Sequence, residues 1–376
     1  MGGSLNRKMA AGASAVLVLA AILLVRGTGH DVRAGETPNY RTLVSDGKIG
    51  KAALAHRIEP LFDQENAGIT QALIVMRGGK IIAERYAPGI GPDTKLLSRS
   101  LGKTVTAALI GIMVSDGRLA LDSPAPVPAW TQPGDPRGTI TLRNLLQMTS
   151  GLEHNEGAPP LYTSDTIRML FTDGAQDMAA FAEAKPIADP PGSTFTYSTA
   201  DTMILCDLMT RMLTDSERPD ARRDAMMEFI RGRLMKPAGL ASLTPEFDAH
   251  GTMLGGAIMH MTARDYAKLG ELLRNRGRVN GHQLISARWI DFMTKPSPQN
   301  PAFGGGLWLN REGAGSPLFD GEGSKRIFSA SGVHGQYILV SPSQRLVVVR
   351  IGVSDARERE RLRTAMQGLV EIFPSS

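Results

Sequence analysis

A single cysteine, Cys206, in 376 residues excludes an internal disulfide and any Cys-x-x-Cys redox or zinc arrangement. It lies in the apolar run Met203-Ile204-Leu205-Cys206 and reads as a small buried hydrophobe. The body of the chain has no block of basic residues, so it lacks the electrostatic footprint of a nucleic-acid binder. No Gly-x-Ser-x-Gly nucleophile elbow occurs. No two histidines stand at the four-residue spacing of a zinc helix, and no Gly-x-x-x-x-Gly-Lys phosphate loop is present. No cofactor or metal is implied.

Long apolar runs are equally scarce, with one exception. Arg7 and Lys8 precede the uncharged stretch Met9–Val25, which Arg26 closes. A basic segment, an apolar segment and a small-residue site at Val32-Arg33-Ala34 make the layout of a secretory signal. An uncleaved membrane anchor through residues 9–25 is the alternative, since about 17 residues is the short end of the spanning range. Residues 1–34 are therefore expected to be a signal peptide or N-terminal membrane anchor, 35–48 a linker, and 49–376 the functional domain. Export, to the periplasm or to the outer face of a membrane, follows from either reading. The net charge of +5 is concentrated in the leader, and the remainder is close to neutral.

Past the linker, Lys51–Phe62 has helical spacing. Apolar runs at 72–76 and 80–86 flank Arg77-Gly78-Gly79, the signature of a hairpin. Further strands are expected at 306–309, 335–340 and 345–351, the last two joined by the Ser341-Pro342-Ser343 turn, with a final helix over 357–373. The middle, about 100–296, reads as mostly helical. Thr141 is placed as the N-cap of a helix ending at Gly151, and Thr262-Ala263-Arg264-Asp265 has capping-box spacing. The expected fold is α+β: an antiparallel sheet from both chain ends, flanked by helices, with a mostly helical insertion.

Two Ser-x-x-Lys pairs occur, Ser45…Lys48 and Ser100…Lys103, and chance alone gives about one. Asp46-Gly47 makes the first a solvated bend. The second opens an apolar helix, Thr104–Met113, in which residues three apart share a face. Burial and the positive end of the helix dipole both disfavour the ammonium form of Lys103. A neutral amine there can take the proton of Ser100 and turn a weak hydroxyl into a nucleophile. The Ser100 N–H, in the first helical turn, is free to donate to an oxyanion. On spacing alone, a serine cap beside a snorkelling lysine fits as well.

The segments Ser98–Asp122, Thr141–Leu152 and Met261–Gly270 resemble, in this order, those of class C β-lactamase-like serine hydrolases. Gly332-Val333-His334-Gly335-Gln336 resembles the branch typified by 6-aminohexanoate-dimer hydrolases. The resemblance implies a β-lactamase/transpeptidase-like fold and roles for further residues. Tyr197, in Phe195-Thr196-Tyr197-Ser198-Thr199, would assist Lys103, and Thr199 stands where β-lactamases carry an Asn that holds the substrate amide. The family's Lys-Thr-Gly is absent from the sequence. In its place the strand is expected to run through Ser331–Gly335, with the Val333 N–H as second oxyanion donor and His334 beside the substrate.

The expected function is an exported serine hydrolase acting on small esters or amides, including 6-aminohexanoate-oligomer-type amides, through a Ser100 acyl-enzyme. A β-lactamase or D-Ala-D-Ala carboxypeptidase is the alternative within the family. An inactive sensor domain that binds peptidoglycan or a β-lactam is the alternative from another class. The expected partner is a small-molecule ester or amide, with no nucleic acid.

Overall fold

The computed structural model describes residues 39–375. The segment read as a leader, and the first residues of the linker, lie outside the described residues. Among the described residues, no helix is long and apolar enough to cross a membrane.

Seven antiparallel strands make the central sheet: β1 (Tyr40–Leu43), β2 (Ile69–Arg77), β3 (Lys80–Tyr86), β4 (Trp308–Leu309), β5 (Phe328–Gly332), β6 (Gln336–Ser341) and β7 (Leu346–Val353). Their order is β1-β3-β2-β7-β6-β5-β4, so strands from the two chain ends meet where β2 pairs with β7. Strand side chains alternate between faces. Leu73, Val75, Leu339 and Val348 therefore point into one buried cluster, and Ala72, Ile74, Ile338 and Val347 into another.

Helices cover both faces. The first cluster takes up Leu54 and Ile58 of α1 (Lys51–Ile58) and Leu362, Met366 and Leu369 of the C-terminal helix Ala356–Glu371. On the opposite face, α2 (Gly102–Ser115) is buried from Gly102 to Met113: its apolar run Ala107–Met113 faces protein all round, and Lys103, Thr104 and Thr106 are buried with hydrogen-bond partners. Beside it runs α3 (Thr199–Arg211), while α4 (Ala263–Arg274) packs on β7, β6 and β2. Gly270 lets α4 approach the sheet, for a Cβ there would lie 2.6 Å from a Val347 methyl.

Several expectations are revised. The sheet begins at Tyr40, inside the segment read as linker: Tyr40, Thr42 and Leu43 pair with β3. The Thr141 helix spans only Leu142–Leu146, behind a capping box with Asn144. It stops short of Gly151 because Met148 takes a left-handed conformation, φ 58°. Thr262 caps α4, but Asp265 does not close the box; its carboxylate accepts from the Ser242 amide and hydroxyl instead.

Candidate active site

Ser100 occupies a single 3-10 turn, Arg99–Leu101, that leads into α2. Ser98 fastens this turn from behind: its amide donates to Met259 O (2.7 Å) and its hydroxyl accepts from Met259 N (3.0 Å). Arg99 carries a left-handed backbone, φ 48°, an uncommon conformation for a residue with a Cβ. Its Nε is buried without a hydrogen-bond partner. No backbone acceptor among the described residues takes the Ser100 N–H.

One helical turn on, Lys103 is 4% exposed. Its Nζ donates to Thr199 Oγ1 and to Gly256 O, each at 2.8 Å, and lies 3.4 Å from Ser100 Oγ. The Gly256 carbonyl reaches the lysine because its loop presses hard on the helices. A Cβ on neighbouring Gly255 would fall 2.3 Å from Thr106 Oγ1 and 2.5 Å from Cys206 Sγ. Burial pushes the Cys206 thiol up to about 12, which makes it a packing residue and not a nucleophile.

Tyr197 precedes α3, whose N-cap Ser198 accepts from Asp201 N. The tyrosine ring stacks on Trp308 (centroids 5.5 Å, planes at 21°) and meets Phe303 edge-on. Lys103 Nζ lies 4.9 Å from its centroid. The structure thus brings Ser100, Lys103 and Tyr197 together. Thr199, expected at the substrate amide, is only 1% exposed, and its hydroxyl faces Lys103 and Glu156. It contacts the lysine, not the cleft.

Glu156 is the residue that sequence reasoning missed. Its Oε1 accepts from Thr199 Oγ1 (2.6 Å). Its Oε2 lies 2.8 Å from Thr199 N, 2.7 Å from His154 Nε2 and 2.9 Å from Thr166 Oγ1. Burial works to raise this carboxyl, but the nearby Lys103 charge and the His154 and Thr199 contacts outweigh it and bring it to about 2. No motif marks it, because its partner Thr199 lies 43 positions away in the chain.

At the sheet edge, β5 packs against the Ser100 turn, and a Cβ on Gly332 would lie 3.3 Å from Ser98 O. The strand ends at Gly332, so Val333-His334-Gly335 form the hairpin turn and not, as expected, a continuation of the strand. His334 (φ 68°) and Gly335 (φ 77°) make that reversal. The Val333 side chain is 52% exposed, and no backbone acceptor among the described residues takes its N–H. The His334 ring is half-buried with Nδ1 3.3 Å from Ser354 O. Burial, then the Arg99 charge, push its pKa down. Both effects disfavour the imidazolium that would stand in for the lysine of Lys-Thr-Gly.

These features, a serine and a buried lysine on one helical turn beside a sheet edge, agree with what comparison with known proteins finds. The β-lactamase family model matches residues 57–369. This chain belongs to the β-lactamase family of serine hydrolases. Across 318 residues it is 24% identical to 6-aminohexanoate-dimer hydrolase of Paenarthrobacter ureafaciens, covering 80% of this chain and 76% of that one. It is 33% identical over 176 residues to esterase EstB of Burkholderia gladioli, 40% of this chain and 44% of the other. Among solved structures, a candidate 6-aminohexanoate-dimer hydrolase of Bacillus anthracis superposes with a TM-score of 0.67 at 21% identity, over 84% of this chain and 82% of that one. Family members named for amide and for ester hydrolysis are thus both similar to this β-lactamase-family chain.

Proposed function

We propose that this protein hydrolyses small esters and linear amides through an acyl-enzyme on Ser100. The observation that carries the reading is the placement of the Lys103 amine, buried and anchored, 3.4 Å from the Ser100 hydroxyl. Lys103, assisted by Tyr197, takes the Oγ proton as Oγ bonds to the substrate carbonyl carbon. The carbonyl oxygen becomes an oxyanion that the Ser100 and Val333 amides receive. Collapse breaks the bond to the leaving alcohol or amine, which departs with the proton that Lys103 returns. Water then attacks the acyl ester by the same route, releasing the acid and restoring Ser100.

The resemblance to an amide hydrolase and an esterase supports both bond types as substrates, including amides of the 6-aminohexanoate-oligomer kind. Export is part of the proposal and rests on Arg7, Lys8 and the apolar run 9–25. Cell fractionation that finds a full-length cytosolic product would refute it. The catalytic assignment is tested with a serine-reactive phosphonate and peptide mass mapping: the adduct is expected on Ser100 alone. Ser45 makes the control, since its hydroxyl is consumed in a turn, donating to Ile49 O at 2.8 Å. An adduct elsewhere, or turnover by Ser100→Ala, ends the assignment.

A further inference from the structure

A lysine can act as a base only if its lone pair, and not an N–H, faces the nucleophile. A neutral amine has two N–H groups and one lone pair, and its donors settle where the lone pair points. One donor of Lys103 is committed to Gly256 O at 2.8 Å, since a carbonyl can only accept. The other contact, Thr199 Oγ1 at 2.8 Å, is ambiguous by itself, because a hydroxyl can donate or accept.

Glu156 removes the ambiguity. A threonine hydroxyl has one proton, and an ionised carboxylate only accepts. With Glu156 Oε1 2.6 Å from Thr199 Oγ1, that proton lies on the Glu156 side, and Thr199 can only accept from Lys103. Both amine N–H groups are then used. The lone pair is left on the remaining side of Nζ, where Ser100 Oγ stands at 3.4 Å. With Lys103 neutral, the ionised form of Glu156 rests on its donors: the Thr199 N–H and the Thr166 hydroxyl converge on Oε2, and the Thr199 hydroxyl donates to Oε1. Asp165, Lys185 and Asp201 lie farther out, paired with one another or with neighbouring serines and amides.

We propose that Glu156 is a positioning residue: acting through the Thr199 hydroxyl, it turns the lone pair of Lys103 toward Ser100. The inference rests on the reading of Ser100 as nucleophile and Lys103 as base. It also explains why a threonine suffices at position 199, since one hydroxyl passes the orientation of the carboxylate to the amine.

Glu156→Gln is nearly isosteric and makes a definite prediction. Thr199 N, Thr166 Oγ1 and His154 Nε2 converge on Oε2, and they hold the amide oxygen of Gln there. The amide NH2 is forced to face Thr199 Oγ1 and donates to it. Thr199 then donates to Lys103 and ties up the lone pair. Charge alone argues the other way, because removing an anion beside Lys103 favours the neutral amine and would preserve or raise activity.

The test compares kcat/KM for p-nitrophenyl butyrate in the full chain for Glu156→Gln, Thr199→Val, Thr199→Ser, their double variants and Lys103→Ala. Glu156→Gln and Thr199→Val are expected to lose at least about tenfold, in kcat more than in KM, at every pH between about 6 and 9. Thr199→Ser, which keeps the hydroxyl, should restore most of the rate. Glu156→Gln added to Thr199→Val should cost nothing further, the non-additivity of residues acting in series. Wild-type-like turnover by Glu156→Gln, or independent costs that add, overturns the inference. If Glu156→Gln does not fold, Thr199→Val decides, and normal turnover by it overturns the inference equally. Lys103→Ala separates the two levels. An active Lys103→Ala refutes the mechanism beneath, whereas an inactive Lys103→Ala beside an active Glu156→Gln refutes only the role of Glu156.

Discussion

Lys103 Nζ lies 3.4 Å from Ser100 Oγ, farther than the 2.8 Å that separates it from either Thr199 Oγ1 or Gly256 O. The lysine is held by the wall of the site, and the serine is its loosest partner. That order suits catalysis. The amine does not have to break a short bond to the nucleophile before accepting its proton, and hydrogen bonds of this kind tighten once substrate is bound.

Lys103→Ala should therefore do more than delete a charge. It leaves the Gly256 carbonyl and Thr199 hydroxyl without their donor, and Glu156 without its nearby cation. A general base contributes about 10²–10⁴-fold, and kcat/KM should fall within that range. A loss below about tenfold removes Lys103 from the mechanism. The Glu156 carboxyl should also rise from about 2 toward the ordinary range once the lysine charge is gone. A carboxyl depressed in the folded state adds stability that is present at neutral pH and lost as the solution is acidified through its folded pKa. Acid unfolding of Lys103→Ala should accordingly begin at higher pH than that of the wild type, read by circular dichroism.

Tyr197→Phe separates chemistry from packing. The ring carries the contacts with Trp308 and Phe303, and the substitution keeps it. Aromatic pairs of this kind contribute about 0.5–1.5 kcal/mol each, so Tyr197→Ala should lower the melting temperature. Tyr197→Phe should leave it within a degree or two and still lose most of kcat. A stable, fully active Tyr197→Phe would make the tyrosine a wall of the site and nothing more.

What the sequence discloses depends on how local the cause is. Ser100 and Lys103 were legible because a three-residue spacing on a buried helix forces two side chains onto one face. The β2–β3 hairpin was legible because Gly78-Gly79 interrupts two apolar runs. Glu156 was not, because the segment after Gly151 has no periodicity and its function comes from meeting α3. Strand β1 was hidden for a similar reason: Tyr40-Arg41-Thr42-Leu43 is short and follows a polar stretch, so only its partner β3 makes it a strand. Apolar spacing carried the Thr141 helix too far, since Met148 continues the pattern while its backbone leaves it.

His334 should titrate below the ordinary histidine value of about 6.5. Burial disfavours its imidazolium, and Arg99 adds like-charge repulsion. Arg99→Gln should raise the pKa, as followed by the ring-proton shifts of His334 in NMR. Because the folded value is depressed, the stability this histidine contributes is complete above its unfolded pKa and lost as pH falls through the folded one. An unshifted His334, indifferent to Arg99→Gln, would contradict the placement.

Substrate preference follows from two contacts. β-Lactams present a carboxylate, which the lysine of Lys-Thr-Gly would pair, and an amide, which an Asn at position 199 would bind. Here the strand end Ser331-Gly332 and the turn residue Val333 stand in place of the lysine motif, the His334 ring is held toward its neutral form, and Thr199 faces Lys103 from within the wall. A charge-assisted hydrogen bond contributes about 1.5–3 kcal/mol, so one missing contact costs about ten- to a hundredfold in affinity. Aryl esters of short acids need neither contact and release a better leaving group than an amine, so their acylation should be fastest. The expected order of kcat/KM on one preparation is p-nitrophenyl butyrate first, small linear amides such as 6-aminohexanoate oligomers second, and nitrocefin far behind. Nitrocefin turnover equal to that of the ester would mean that another group holds the carboxylate. Arg99, adjacent to Ser100 with a buried and unpartnered Nε, is the residue to replace next, and a selective loss of nitrocefin activity in Arg99→Gln would identify it.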